Sequence, residues 1–475
     1  MQHCRHALRN TRPLRRPPCI AIPRSFHFKV GLLEDLKARD LVAGVTREEQ
    51  LQEELKRQPQ VVYAGVDPTA KYLHVGHLLP LLCLLHFQLR GHKIISLIGG
   101  ATGLIGDPSG RSTERPLAAA SVVEDNVTSL SDAIQRFFAG AMEYARKRLP
   151  PSETQLSLPD VRNNLHWFKD MGLLEFLRTV GIYHRVNNMM ARESVRARLS
   201  SQQGISFTEF TYQLLQSYDF LRLHKDAGCN IQLGGSDQWG NIVAGIDLIN
   251  HVNAASSPDG KSDKGYGIVT PLLTTASGEK FGKSAGNAVS LDPSVTNVFD
   301  FYQFFLRTTD ADVGRYLKMF TLLPIAKIDE VVQNHERAPE LRTAQRLLAE
   351  EVTELIHGKD GVRKAVAATA VLYGGDFTSV KASDVVEALT GLPILHILDD
   401  VEVFGIPAPK LAVRCGIAPS HGAARQLVAA KGLYVNNQPV TDSQLRLTTA
   451  DLVDNRLVIL RAGKQKQAVI ALRQH

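Results

Sequence analysis

Two histidines stand three residues apart in His74-Val75-Gly76-His77, and two lysines three apart in Lys280-Phe281-Gly282-Lys283-Ser284. On a helix the first spacing puts both imidazoles on one face. The segment follows a β-branched run and a short turn, so it should open a helix, and a helix N-terminus with free amides is an anion site. Two imidazoles there can donate to a polyphosphate, and Gly76 lets a phosphate or adenine approach the backbone. Standing alone, the pair also fits two surface histidines. The lysine motif resembles the end of a P-loop, G-x-x-x-x-G-K-[ST], but Ser277 stands where the first glycine belongs and Gly278 comes one residue late. Ala285-Gly286-Asn287 is also a poor first helical turn. The two lysines therefore lie on a loop of another kind.

A third constellation is Tyr212, Gln216 and Asp219, at i, i+4 and i+7 on one helix face among Phe207, Phe210, Leu214, Leu215 and Phe220. A buried polar group left unpaired costs about 1–3 kcal/mol, so a phenol, an amide and a carboxylate turned toward a core mark a polar pocket rather than a solvated face. Asp107 ends a glycine-rich turn and Asp237 follows Gly234-Gly235. Both positions suit ligands at strand ends, and both also suit ordinary turn aspartates.

The elements that must position these groups are legible in outline. Gln60–Gly65, Lys93–Ile98 and Asn230–Leu233 read as strands, followed by Asp67-Pro68-Thr69, GGATGLIGDPSG (99–110) and GGSDQWGN (234–241). Strands ending in such turns imply a parallel sheet with ligands at the C-terminal strand ends, although no G-x-G-x-x-G fingerprint is present. Residues ~295–375 read as all-helical. In Glu340–His357 apolar residues recur at helical spacing, with Pro339 in the first turn and Gly358 as the stop. The last ~70 residues read as a small α+β module: a helix capped by Ser420 and ending before Gly432, a strand Leu433–Asn436, and a hairpin of Arg456–Arg461 with Ala468–Leu472 around Gly463-Lys464-Gln465-Lys466.

HVGH after a first strand, with KFGKS about two hundred residues later, resembles the paired signature of class I aminoacyl-tRNA synthetases, KFGKS matching their mobile KMSKS loop. The segments YAGVDPTAKYLHVGH, GGATGLIGDPSGR, SFTEFTYQLLQSYDF, QLGGSDQWGN and GEKFGKSAGNAV narrow the resemblance to tyrosyl-tRNA synthetases of the bacterial and mitochondrial type over most of residues 60–290. The resemblance implies an α/β fold: a Rossmann-like parallel-sheet catalytic domain (29–295, including the loop), an all-helical anticodon-binding domain (296–375), a linker (376–400) and a small α+β, S4-like RNA-binding domain (401–475). It implies activation of L-tyrosine by ATP and transfer to tRNA(Tyr), with Mg2+ accompanying ATP, no structural metal, and a homodimer.

Carried over by position, Tyr63 and Asp219 resemble the pair that hydrogen-bonds the phenolic hydroxyl of tyrosine. Tyr212, Gln216 and Asp107 resemble the cradle for its ammonium group, Gln238 lies by the carboxylate, and Gln232 lines the same pocket. Asp67, Gly76 and Asp237 match contacts to the ammonium, adenine or ribose. Thr69, His74 and His77 match the pyrophosphate side, with Lys280 and Lys283 opposite, and Asn164 is a further candidate. The C-terminal match is the looser one, since His421 and Gly422 stand where the family commonly has basic residues. Tryptophanyl-tRNA synthetase shares the motif pair, and a small-molecule nucleotidyltransferase can share H-x-G-H. Tyr63 with Asp219 argues against the first, and the helical domain and tail argue against the second. An RNA-binding scaffold descended from a synthetase is the alternative from a different class.

Composition sets outer limits. The chain has 475 residues, enough for two to four domains, with 44% hydrophobic and 22% charged residues. Its net charge of +7 resides mostly in the first 26 residues, where Arg5, Arg9, Arg12, Arg15, Arg16 and Arg24 occur with no acid, leaving about +1 elsewhere. An Arg-rich, acid-free leader is the signature of a mitochondrial transit peptide, expected over residues 1–28 and pointing to the mitochondrial matrix. A disordered basic tail is the plainer reading. Cys4, Cys19, Cys83, Cys229 and Cys415 are isolated, suggesting neither a zinc site nor a disulfide framework. No apolar run approaches the ~18 residues of a membrane span.

Overall fold

The computed structural model describes residues 30–474 apart from 112, 150–157, 201–203, 257–263, 285–286, 375–376, 378 and 464–465. The leader expected over 1–28, and Lys464 in the C-terminal hairpin, lie outside the described residues.

The first region is built on a six-stranded sheet, β1 (Gly44–Val45), β2 (Val61–Val66), β3 (Lys93–Ile98), β4 (Asp160–Asn163), β5 (Ile231–Gly235) and β6 (Tyr266–Thr270), in the order β1-β6-β5-β2-β3-β4. All neighbours are parallel except β1 with β6. The inner strands VVYAGV and KIISLI are apolar runs because helices cover both sheet faces. The strand after β2 pairs on one side of it and β5 on the other. A crevice therefore opens where the chain reverses direction across the sheet, at the C-terminal strand ends. The helix Leu78–Leu89 leaves β2 and is buried at every residue but Pro80, since it lies between the sheet and the helical unit.

Four helices, Val298–Leu306, Asp310–Phe320, Ile325–Arg337 and Thr343–Tyr373, form the helical unit. The last differs from the expectation at both ends. It starts at Thr343, after a 3-10 turn at Pro339–Leu341, and continues past Gly358. Gly358 does break the helical geometry (φ 71°, ψ −179°), but as a kink, because apolar residues beyond it, such as Ala365 and Ala368, are also buried. Polar clusters around Arg39 and Glu351 help fasten this unit to the region of the six-stranded sheet. Arg39 donates to the carbonyls of Thr321 (2.9 Å) and Leu323 (3.0 Å) while paired with Asp35 (2.9 Å). Glu351 accepts from Tyr144 (2.5 Å) and Arg148 (2.7 Å).

Two short strands, β7 (Lys283–Ser284) and β8 (Asn287–Ala288), pair with each other, and the C-terminal sheet comprises β9 (Leu395–Leu398), β10 (Leu433–Val435), β11 (Gln438–Pro439), β12 (Leu457–Ala462) and β13 (Lys466–Leu472), in the order β11-β10-β12-β13-β9. Ser420 caps the helix His421–Ala429, accepting from the Ala423 amide. The stretch 376–400, read from sequence as a linker, carries folded structure. The helix Ala382–Leu389 is mostly buried, and β9 joins the sheet in parallel with β13. Its apolar residues (Val385, Leu389) find partners in Leu457, Ile459 and Val469, a contact with distant sequence that local composition does not reveal.

Candidate active site

A cavity of about 460 Å³ occupies the crevice. Tyr63, Asp67, Thr69, His74, Gly76, His77, Asp107, Tyr212, Gln216, Asp219, Gln232, Asp237, Gln238 and Lys280 all line it, with Asn164 among them. They come from the ends of β2, β3 and β5, from the helix Phe207–Ala227 and from the KFGKS loop. Lys283 lies on a short strand whose backbone pairs with Ala288.

At the deep end, the Tyr63 hydroxyl is buried without a hydrogen-bond partner, and so is the Gln232 carbonyl oxygen. Asp219 is buried beside them and held from behind: Asn164 Nδ2 donates to Oδ2 at 3.0 Å, and Trp167 Nε1 to Oδ1 at 2.9 Å. Burial pushes the Asp219 carboxyl up to about 8, against the lowering effect of these two donors and with help from the Asp67 charge. Burial, then the nearby Asp219, raises the Tyr63 phenol well above its ordinary value. Asn164 itself is locked by the Ala101 amide (2.7 Å) and by donating to Thr102 (3.0 Å).

In the middle, Tyr212 and Thr102 donate to the two oxygens of Asp67 at 2.6 and 2.7 Å. Burial brings the Asp67 carboxyl up to about 6, opposed by these hydrogen bonds. Gln238 donates to Asp107 (2.6 Å) and, at 3.3 Å, to Asp237. Asn241 donates to Gln216 (2.9 Å) and Gln238 (3.2 Å). Several acceptors thus converge with few cations among them, which suits an ammonium group. The glycines after β3 are required here: a Cβ at Gly99 would run into Asp67 and Thr102.

At the mouth the structure changes the reading of HVGH. The amides expected to be free are occupied. His74 Nδ1 accepts from the Gly76 amide and His77 Nδ1 from the His74 amide, both at 3.1 Å. The rings stack with centroids 3.8 Å apart. A Cβ at Gly76 would meet the His74 ring at about 3 Å. Gly76 therefore makes room first for its neighbour's imidazole. With its Nδ1 accepting, the neutral His77 ring carries its proton on Nε2, which makes that ring a donor. Burial, then the His74 ring, lowers His77 to about 3, keeping it neutral.

Sequence reasoning missed Thr102, Trp167 and Asn241. Thr102 lay inside a segment already singled out. Trp167, one of two tryptophans, carries a lone N–H donor that needs a partner when partly buried, and that was the available signal.

A parallel sheet with HVGH leading from its first crossover and a lysine loop across the same cavity defines a class I synthetase catalytic domain. Residues 55–374 match the family "tRNA synthetases class I (W and Y)", and residues 394–470 match "Tyrosine--tRNA ligase SYY-like C-terminal domain". The mitochondrial tyrosine–tRNA ligase of Saccharomyces cerevisiae is 42% identical over 447 residues, 93% of this chain and 89% of its own length. The tyrosine–tRNA ligase of Roseiflexus castenholzii is 42% identical over 93% of this chain and 99% of its own. The crystal structure of a C-terminally truncated mitochondrial tyrosyl-tRNA synthetase from Aspergillus nidulans is 37% identical, covering 70% of this chain and 92% of that one, with a TM-score of 0.65. The chain belongs to the tyrosine–tRNA ligase family. It is an aminoacyl-tRNA ligase, and tyrosylation of tRNA is favoured over the tryptophanyl and scaffold readings.

Proposed function

We propose that the chain activates L-tyrosine with ATP and transfers it to tRNA(Tyr) in the mitochondrial matrix. In the first step a tyrosine carboxylate oxygen attacks the α-phosphorus, the bond to the bridging oxygen breaks, and pyrophosphate leaves. In the second, a hydroxyl of the terminal tRNA ribose attacks the carbonyl carbon, its proton passes to the adenylate phosphate, the bond from carbonyl carbon to phosphate oxygen breaks, and AMP leaves. Mg2+ enters with ATP as part of the substrate. No covalent enzyme nucleophile is needed, so catalysis is positioning plus electrostatic stabilisation.

The observation carrying this reading is the Tyr63 hydroxyl, buried and unpartnered in the cavity that Asp219 also lines. A bound phenol would accept from Tyr63 and donate to Asp219. Phenylalanine would leave both without a partner, at about 1–3 kcal/mol per group. Asp67, Tyr212, Gln216 and Asp107 receive the ammonium, with Gln232 and Gln238 flanking the amino acid. Gly76 and Asp237 face the nucleoside. Thr69, His74, His77, Lys280 and Lys283 stabilise the leaving pyrophosphate.

The Arg-rich leader and the mitochondrial relatives support the location. Leu173, Leu174, Ile182 and Val186, 57–77% exposed on one stretch of chain, support a homodimer. The helical and C-terminal units would engage tRNA, the latter through Arg425, Lys431 and Lys466. The test is amino-acid-dependent ATP–pyrophosphate exchange across the twenty amino acids, with protein lacking residues 1–28. Exchange with tyrosine alone is expected. Exchange with tryptophan would contradict the roles of Tyr63 and Asp219, and silence from folded protein would favour an RNA scaffold.

A further inference from the structure

Nothing in the motif reading gives Phe281 a task, yet its ring packs among aromatic rings of the helical unit. Its centroid lies 4.3 Å from that of Tyr316, 4.7 Å from Phe304, 6.1 Å from Phe305 and 6.3 Å from Phe320. All four belong to two helices of the helical unit, Val298–Leu306 and Asp310–Phe320. The same unit grips the stem of the loop. Tyr316 Oη and Arg315 Nη1 donate to the Thr274 carbonyl at 3.0 and 3.1 Å, and the Ala276 amide donates to Asp312 Oδ1 at 2.7 Å.

The next residue faces the other way. Gly282 has φ +101°, and a Cβ there would lie 3.6 Å from Val75 and 3.7 Å from the Gly76 amide. Its carbonyl accepts from Val289, whose own carbonyl accepts from the Val75 amide. The chain therefore passes directly from a socket in the helical unit to the backbone of HVGH, with Lys280 adjoining the socket and lining the cavity. Because Arg39 and Glu351 fasten the helical unit to the catalytic region, the socket is a fixed reference point.

We propose that Phe281 is a positioning residue for adenylate formation: its ring, seated among Phe304, Phe305, Tyr316 and Phe320, sets where Lys280 stands over the cavity. This rests on the role given to Lys280 above. A misplacement of about 1 Å at a charged group can slow a reaction about 10²-fold, so loss of the ring should act on rate rather than on tyrosine binding.

The test is single-turnover tyrosyl-adenylate formation and equilibrium tyrosine binding in Phe281→Ala, Phe281→Leu, Lys280→Ala and the Phe281→Ala/Lys280→Ala double variant. Phe281→Ala should slow adenylate formation roughly 10- to 100-fold with tyrosine affinity unchanged. Phe281→Leu, which keeps an apolar plug, should recover most of the rate. The double variant should be no slower than Lys280→Ala alone, since one residue acts through the other. Multiplicative losses in the double variant, an unchanged rate in Phe281→Ala, or equal loss of rate and tyrosine affinity would each overturn the proposal. If Lys280→Ala by itself leaves the rate intact, the role of Lys280 fails instead. Should Phe281→Ala not fold, Phe304→Ala opens the socket from the helical side and is read against the same expectations.

Discussion

Trp167 donates its indole N–H to Asp219 across 2.9 Å, from a residue just beyond the edge strand to one in the middle of a helix 52 positions later. Together with Asn164 it fixes both carboxylate oxygens of Asp219, although Trp167 carries none of the motifs by which the chain is recognised. Leaving a buried hydrogen-bonding group without its partner costs about 1–3 kcal/mol. Trp167→Phe, which keeps an aromatic side chain but removes the donor, should lower kcat/KM for tyrosine in pyrophosphate exchange by about tenfold or more. The melting temperature should change little by comparison. An unchanged kcat/KM would remove Trp167 from the recognition machinery.

The raised carboxyl of Asp219 makes a signed prediction about stability. Its ordinary value is 3.8 and its folded value about 8. Between those values the unfolded chain has lost the proton while the folded chain keeps it, so this residue's contribution to stability declines as pH rises from about 4 to 8 and then levels off. Asp219→Asn removes that titration. Whatever constant offset the amide introduces, the wild type should lose stability relative to the variant across this window. Parallel stability-versus-pH curves from denaturant titrations would show that the folded carboxyl is not raised.

Lys283→Ala should slow adenylate formation by roughly 10²–10³-fold, the scale of losing one preorganised charge donor in an enclosed site. Tyrosine affinity should be nearly untouched if Lys283 acts, as proposed above, on the pyrophosphate. Equal losses in rate and in tyrosine binding would sink that assignment.

At the kink of Thr343–Tyr373, Gly358 adopts φ 71° and ψ −179°, a region open essentially to glycine alone. A Cβ there would meet nothing within 4 Å. Gly358→Ala therefore isolates the backbone term, and urea unfolding should show a loss of about 1–3 kcal/mol with an unchanged m-value. A neutral result would mean the helix can straighten without loss.

The pH profile of adenylate formation supplies a last check on HVGH. His77 is held neutral, at about 3, by burial. No rate limb between pH 5 and 8 should disappear in His77→Asn. A limb lost with that substitution would mean that the ring titrates in the working range.

The sequence by itself determined the strands β2, β3 and β5 to within a residue or two, because inner parallel strands are continuous apolar runs closed by glycine-rich turns. It also determined which side chains face the cavity on Phe207–Ala227, because Tyr212, Gln216 and Asp219 follow the period of a helix. Local pattern of this kind survives folding unchanged. Polar edge strand β4 (DVRN) has no such pattern, and β9 gains its partner only from β13, some seventy residues away. Long-range contact likewise decided that Trp167 and Asn164 hold Asp219 and that Phe281 sits in a socket made by another unit, and turn geometry decided that the histidine rings accept from the His74 and Gly76 amides of their own turn. These are distances between groups far apart in the chain or hidden in a turn's geometry, and spacing along a sequence carries no measure of either.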